Sequence, residues 1–154
     1  MNNSAIILYV SMHNSTKMIA DYLASNLKTK EITVYEYDLS NTSFDEISMH
    51  LVDACTLIIG TPCVLGGIHP KVMTAVYLIN ALKPKTKFVS IIGSYGWGEN
   101  IADDVSSNLK YLTAEFISPV IIKGLPKEND FKELEKLAKL IFEKHKTITK
   151  KNIK

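Results

Sequence analysis

The 154-residue chain contains no arginine. A bidentate guanidinium clamp on a phosphate or carboxylate is therefore excluded, since lysine offers a point charge instead of a planar fork. Cysteine is scarce as well: Cys55 and Cys63 are the only two and form no CxxC pair, which removes the usual zinc and dithiol patterns. Cys55 is expected to be plain core, and Cys63 to serve packing or backbone positioning. No apolar run approaches the roughly eighteen residues of a membrane span. Met1-Asn2-Asn3-Ser4-Ala5 lacks the basic stretch and long apolar core of a secretory signal, so the expected location is cytoplasmic, with no membrane partner. Neither GxGxxG nor GxxxxGK[ST] occurs, which weakens dinucleotide and nucleoside-triphosphate readings. No His, Cys or acidic residues stand at metal-ligand spacing, so no protein-bound metal is expected.

What is present describes an ordinary globular domain, 46% apolar and 22% charged, of a length suited to one core. The net charge of +2 conceals an asymmetry. Lys144, Lys146, Lys150, Lys151 and Lys154 follow the last acid, Glu143, whereas residues 1–143 hold 13 lysines against 16 acids. We expect a domain over residues 1–146 and a disordered basic tail over 147–154. Basic residues are not interleaved with aromatics on one face, so no nucleic-acid partner is expected.

Short apolar or β-branched runs at 5–10, 32–37, 54–60, 87–92 and 116–123 read as strands. The last is interrupted by Pro119, which argues for an edge position or a bulge. Helical spacing covers 16–27, 70–82, where Pro70 suits a first helical position, and 101–112. Ser43-Phe44-Asp45-Glu46 has the spacing of a capping box opening a short helix. Asp130-Phe131-Lys132-Glu133 opens a last amphipathic helix carrying Leu134, Leu137, Ala138 and Ile141 on one face. Five strands alternating with five helices imply a parallel α/β sheet covered on both faces. Periodicity does not disclose the strand order.

Three loops lie between a strand and the following helix, and in open α/β sheets such loops meet at one crevice. The first, Ser11-Met12-His13-Asn14-Ser15-Thr16, offers hydroxyls, an amide and the positive end of a helix, which favour an anion. Asn14 is suited to a positive φ at the tight turn. An ordinary helix cap closed by Ser15 or Thr16 is the competing reading. His13 is expected near this site without a catalytic role, and His69 as a helix-start residue.

In the second loop, Thr61-Pro62-Cys63-Val64-Leu65-Gly66-Gly67, proline constrains the chain while the glycines free it. A peptide that can turn there could present its carbonyl to a ring nitrogen that takes up a proton on reduction; a plain strand-to-helix turn is the alternative. The third loop, Ser94-Tyr95-Gly96-Trp97-Gly98, carries the only tryptophan. Stacking on a planar ring would bury both of its aromatics, although one of them could instead cover the core. The crevice suits a phosphorylated flat cofactor, and flavin mononucleotide (FMN) is the expected ligand.

These three segments, together with Gly60 and Ile68 beside the second and Gly93 before the third, resemble the flavodoxin family. Within it they are similar to the flavodoxin-like domain of the A-type flavoproteins, the flavo-diiron proteins, over residues 6 to about 142. The resemblance implies a flavodoxin-like three-layer sandwich with a five-stranded parallel sheet of order 2-1-3-4-5, and FMN held without a covalent bond. The first loop would surround the phosphate, and the second and third would line the two sides of the ring. At Asn14 the family often has Gly and sometimes Asn, and at Cys63 it usually has Thr. The diiron domain's His/Glu/Asp pattern is missing, so dioxygen or nitric oxide reduction by that chemistry is not expected of these residues.

The expected role is a shuttle, monomer or homodimer, exchanging electrons with a reductase, a ferredoxin or rubredoxin, or a separate diiron protein. An acidic rim at Glu99, Asp103 and Asp104 would orient such a partner. The alternative is an FMN-dependent NAD(P)H or quinone oxidoreductase. A phosphoacceptor receiver is disfavoured, because the strands ending at Ser11 and Thr61 carry no aspartate there.

Overall fold

Alternation within each strand divides the core in two. In β1 (Asn2–Tyr9), Ala5, Ile7 and Tyr9 face one side and Ile6 and Leu8 the other, all buried. The computed structural model describes residues 2–64, 66–95 and 101–153. After β1 come α1 (Ser15–Thr29), β2 (Thr33–Asp38), α2 (Phe44–Leu51), β3 (Ala54–Val64), β4 (Gly67–Ile68) and α3 (Pro70–Leu82). The chain continues through β5 (Phe88–Tyr95), α4 (Ile101–Asn108), β6 (Glu115–Phe116), β7 (Val120–Lys123) and α5 (Glu128–Ile153).

The sheet runs β2-β1-β3-β5, with β6 and β7 both pairing in parallel with β5. β6 and β7 are two halves of the expected fifth strand, split at Ser118-Pro119, so the 2-1-3-4-5 order holds with a broken edge strand. A proline cannot donate to a ladder, and this one sits on the edge. α1 and α5 pack on one face, where Leu23, Leu27, Leu134 and Ile141 are fully buried. α2, α3 and α4 cover the other through Ile47, Val72, Ile79 and Val105.

Several local expectations are corrected. Ser43 precedes α2, but its side chain makes no cap bond; its carbonyl accepts the Ile47 N–H instead. α4 ends at Asn108 and not at residue 112, because the Asn108 carbonyl is taken by Asn80 Nδ2 at 2.7 Å. α5 starts before Asp130, whose carboxylate accepts the Lys127 N–H at 2.9 Å. α5 runs on through Ile153, with His145 buried and Ile148 packed against the core.

Candidate functional site

The first loop is built around a left-handed residue. Asn14 has φ 68° and immediately precedes α1, a conformation asparagine tolerates better than most residues. It aims the first turn of α1 across the carboxyl ends of the strands. Ser11 Oγ accepts the Lys17 N–H at 3.1 Å, which leaves the Ser11 hydroxyl proton available. Among the described residues, no backbone acceptor takes the N–H groups of residues 12–16, and no acid lies in the first turn. Such a helix end is an anion cradle by charge and by donor count.

Not every hydroxyl there is available. Ser15 Oγ donates to the Gly124 carbonyl at 2.7 Å, and Thr16 Oγ1 pairs with Ser94 Oγ at 3.1 Å. Ser15 therefore ties α1 to the end of β7, where Gly124 has φ 68°. Neither Ser15 nor Thr16 caps the helix; the first-turn N–H of Lys17 is met by Ser11 Oγ instead. The Thr16–Ser94 pair retains one hydroxyl proton to offer and joins the first loop to the third. Met12, His13 and Asn14 are exposed on the rim.

The second loop is more ordered than expected. β3 does not stop at Gly60; Thr61 and Pro62 pair with Gly93 and Ser94 of β5. Cys63 and Val64 then turn back against Ile68 and Gly67 as an antiparallel hairpin. Gly66 has φ 78°, the left-handed value a tight turn asks of glycine. The buried Thr61 hydroxyl donates to the Pro62 carbonyl at 2.9 Å, so it braces the hairpin. His69 fulfils its helix-start role: Nδ1 accepts the Lys71 N–H at 3.1 Å. Leu65 lies outside the described residues.

Of the third loop, Ser94 is buried and Tyr95 half-buried, with the Tyr95 carbonyl accepting the Gly124 N–H at 2.8 Å. Gly96, Trp97 and Gly98 lie outside the described residues, as does Glu99 of the expected rim. Asp103 and Asp104 stand in the first turn of α4.

Two glycines let the loops approach. A Cβ at Gly60 would lie 2.9 Å from Tyr9 Cβ and 3.3 Å from Thr16 Cγ2. At Gly93 it would collide with the Thr61 carbonyl. Gly60 thus lets β3 approach Tyr9 and Thr16, and Gly93 lets β5 approach Thr61, spacer roles the sequence reading missed although each glycine directly precedes a loop.

Beside the crevice lies a charged cluster that sequence reading missed. Lys17 Nζ contacts Asp21 Oδ2 at 2.7 Å. Burial, followed by a hydrogen bond with Asp21, pushes the Glu36 carboxyl up to about 7. The same Glu36 contact, with help from Lys17, holds Asp21 below its usual value. Cys55 is buried core, its thiol pushed up to about 11 by desolvation, and no disulfide joins it to Cys63. Among the described residues, no cluster of three or more His, Cys, Asp or Glu could hold a metal ion, and no helix is long and apolar enough to cross a membrane.

The comparisons with known proteins agree with this geometry. The rubredoxin-oxygen oxidoreductase of Megalodesulfovibrio gigas is 28% identical over 140 residues, covering 90% of this chain and 35% of that protein. A solved structure of rubredoxin oxygen:oxidoreductase from Desulfovibrio gigas superposes with a TM-score of 0.90 at 27% identity, covering 95% of this chain and 37% of the other. A flavodoxin from the domain Archaea shares the fold, with a TM-score of 0.81 at 22% identity over 93% of this chain and 99% of that one. The chain spans little more than a third of the length of the curated oxidoreductase it matches. The family model described as Flavodoxin matches residues 7–137, and the chain belongs to the flavodoxin family.

Proposed function

We propose that this chain binds FMN non-covalently at the carboxyl ends of β1, β3 and β5 and passes electrons between redox partners. The observation that carries the reading is the amide-rich start of α1, entered through left-handed Asn14 and pinned to β5 by the Thr16–Ser94 pair. FMN, when bound, supplies the redox chemistry itself. The backbone N–H groups of residues 12–16 and the Ser11 hydroxyl would hold its phosphate. Lys17 is committed to Asp21, so neutral donors do this work. The β3–β4 hairpin would form one wall of the ring pocket through Thr61, Pro62, Cys63, Val64, Leu65, Gly66 and Gly67. Ser94, Tyr95, Gly96, Trp97 and Gly98 would form the other.

The partners that fit are a reductase, a ferredoxin or rubredoxin, or a separate diiron protein, with the cytoplasm as the setting. A visible spectrum of the purified protein, followed through anaerobic reduction, tests the reading. A yellow protein reduced in one-electron steps is expected, and Trp97→Ala should weaken FMN retention about tenfold or more. Colourless protein that takes up no added FMN overturns it. Bleaching by NADPH without a partner reductase would instead identify an FMN-dependent NAD(P)H or quinone oxidoreductase.

A further inference from the structure

A cavity of about 670 Å³ lies apart from the crevice, between α3 and the end of α4. Its size falls within the range of small-molecule sites. Tyr77 and Tyr111 line it and are 73% and 62% exposed. Two large rings so exposed on one groove supply a flat apolar surface.

Lys83 and Lys110 line the same groove, and Lys83 Nζ lies 5.5 Å from the centre of the Tyr111 ring. Lys83 is held at φ 51° directly after α3. Glycine is the usual residue for that left-handed position, so the lysine there is a local cost to the backbone that places a cation at the groove. Asn80, also lining the cavity, donates from Nδ2 to the Asn108 carbonyl. That bond sets the orientation of its amide, and Oδ1 is left shielded without a hydrogen-bond partner. An unpaired buried acceptor is a local cost of this packing.

We infer that the α3–α4 groove is a second binding site, for a purine nucleotide. A base would stack on Tyr77 and Tyr111, and its phosphate would meet Lys83 and Lys110. The same chemistry could arrive as a free mononucleotide or as the adenylate half of a dinucleotide. This inference does not depend on the FMN reading, because the two sites share no residue.

The test is an NMR titration of gel-filtered protein, as it retains its own cofactor, with AMP, adenosine, ribose 5-phosphate and NADH. AMP should cause saturable shifts at Tyr77 and Tyr111, with adenosine and ribose 5-phosphate at least about tenfold weaker. Tyr77→Ala should weaken AMP about tenfold. Lys83→Gly, which suits the left-handed position, should do the same without unfolding the protein. NADH binding tighter than AMP identifies the dinucleotide as the source; the reverse identifies the free nucleotide. No saturable binding in the millimolar range, binding undiminished in both variants, or shifts at residues 11–16 in place of the tyrosines overturns the proposal.

Discussion

At the scale of single residues, buried His145 and half-buried Glu36 act on stability with opposite sign. His145 donates from Nδ1 to Asn3 Oδ1 at 2.8 Å, and its Nε2 lies 2.6 Å from Thr56 Oγ1. The Asn3 amide is oriented by its own Nδ2 bond to the Glu31 carbonyl, so Oδ1 faces the ring and the neutral tautomer protonated at Nδ1 is selected. Burial lowers the His145 value from the ordinary 6.5 to about 4. The unfolded chain therefore binds the proton more readily, and this contribution is lost as the pH falls from about 6.5 towards 4. Glu36 works the other way. Its value rises from 4.5 to about 7, so the folded chain keeps the proton and stability declines as the pH rises through that window. In the wild type the two slopes oppose each other between roughly pH 4.5 and 6.5. Urea denaturation across this range should show stability falling with pH in His145→Gln and rising with pH in Glu36→Gln. Parallel curves for the two variants would contradict the assignment.

At the scale of elements, the start of α1 depends on one backbone conformation more than on any side-chain cap. Asn14→Gly should keep both stability and FMN retention, because glycine enters the left-handed region freely. Asn14→Ala should cost about 1–2 kcal/mol and weaken FMN retention, measured by urea denaturation and flavin fluorescence. Equal behaviour of the two variants would detach the helix start from the site. The elements themselves were largely legible: strands buried on both faces read as short apolar runs, and Pro70 and Pro119 marked a helix start and an edge. The extension of β3 past Gly60 was not legible, since Pro62 and Gly66 read as a loop while the ladder partners Gly93, Ser94 and Ile68 belong to other segments. For the same reason the role of Ser15 was hidden, because its acceptor, Gly124, is 109 residues away in sequence. Residue types predicted a crevice rich in donors, and only the fold shows which donors are already engaged.

At the scale of the whole molecule, charge is separated along the strand direction. Asp103 and Asp104 open α4 at the carboxyl end of the sheet, whereas α5 returns to the amino end, where His145 meets Asn3 and Thr56. Lys144 and Lys146, in the same part of α5, are thus carried away from the crevice. Such a field steers charged reactants and is screened by salt. With FMN bound, Asp103→Asn combined with Asp104→Asn should slow reduction by a cationic viologen and speed oxidation by anionic ferricyanide. Both effects should shrink at high ionic strength. Equal rates in the double variant and the wild type would remove these two acids from the encounter surface. The split between β6 and β7 has a consequence of another kind. A continuous outer strand would present a row of open amides and carbonyls on which a second chain could extend the sheet. Here that row is interrupted at Ser118-Pro119, and Ser90 Oγ donates to the Ser118 carbonyl at 3.3 Å. The far border of the sheet is therefore a poor template for chain-to-chain growth, which guards a concentrated solution of this protein against fibrous aggregation from that side.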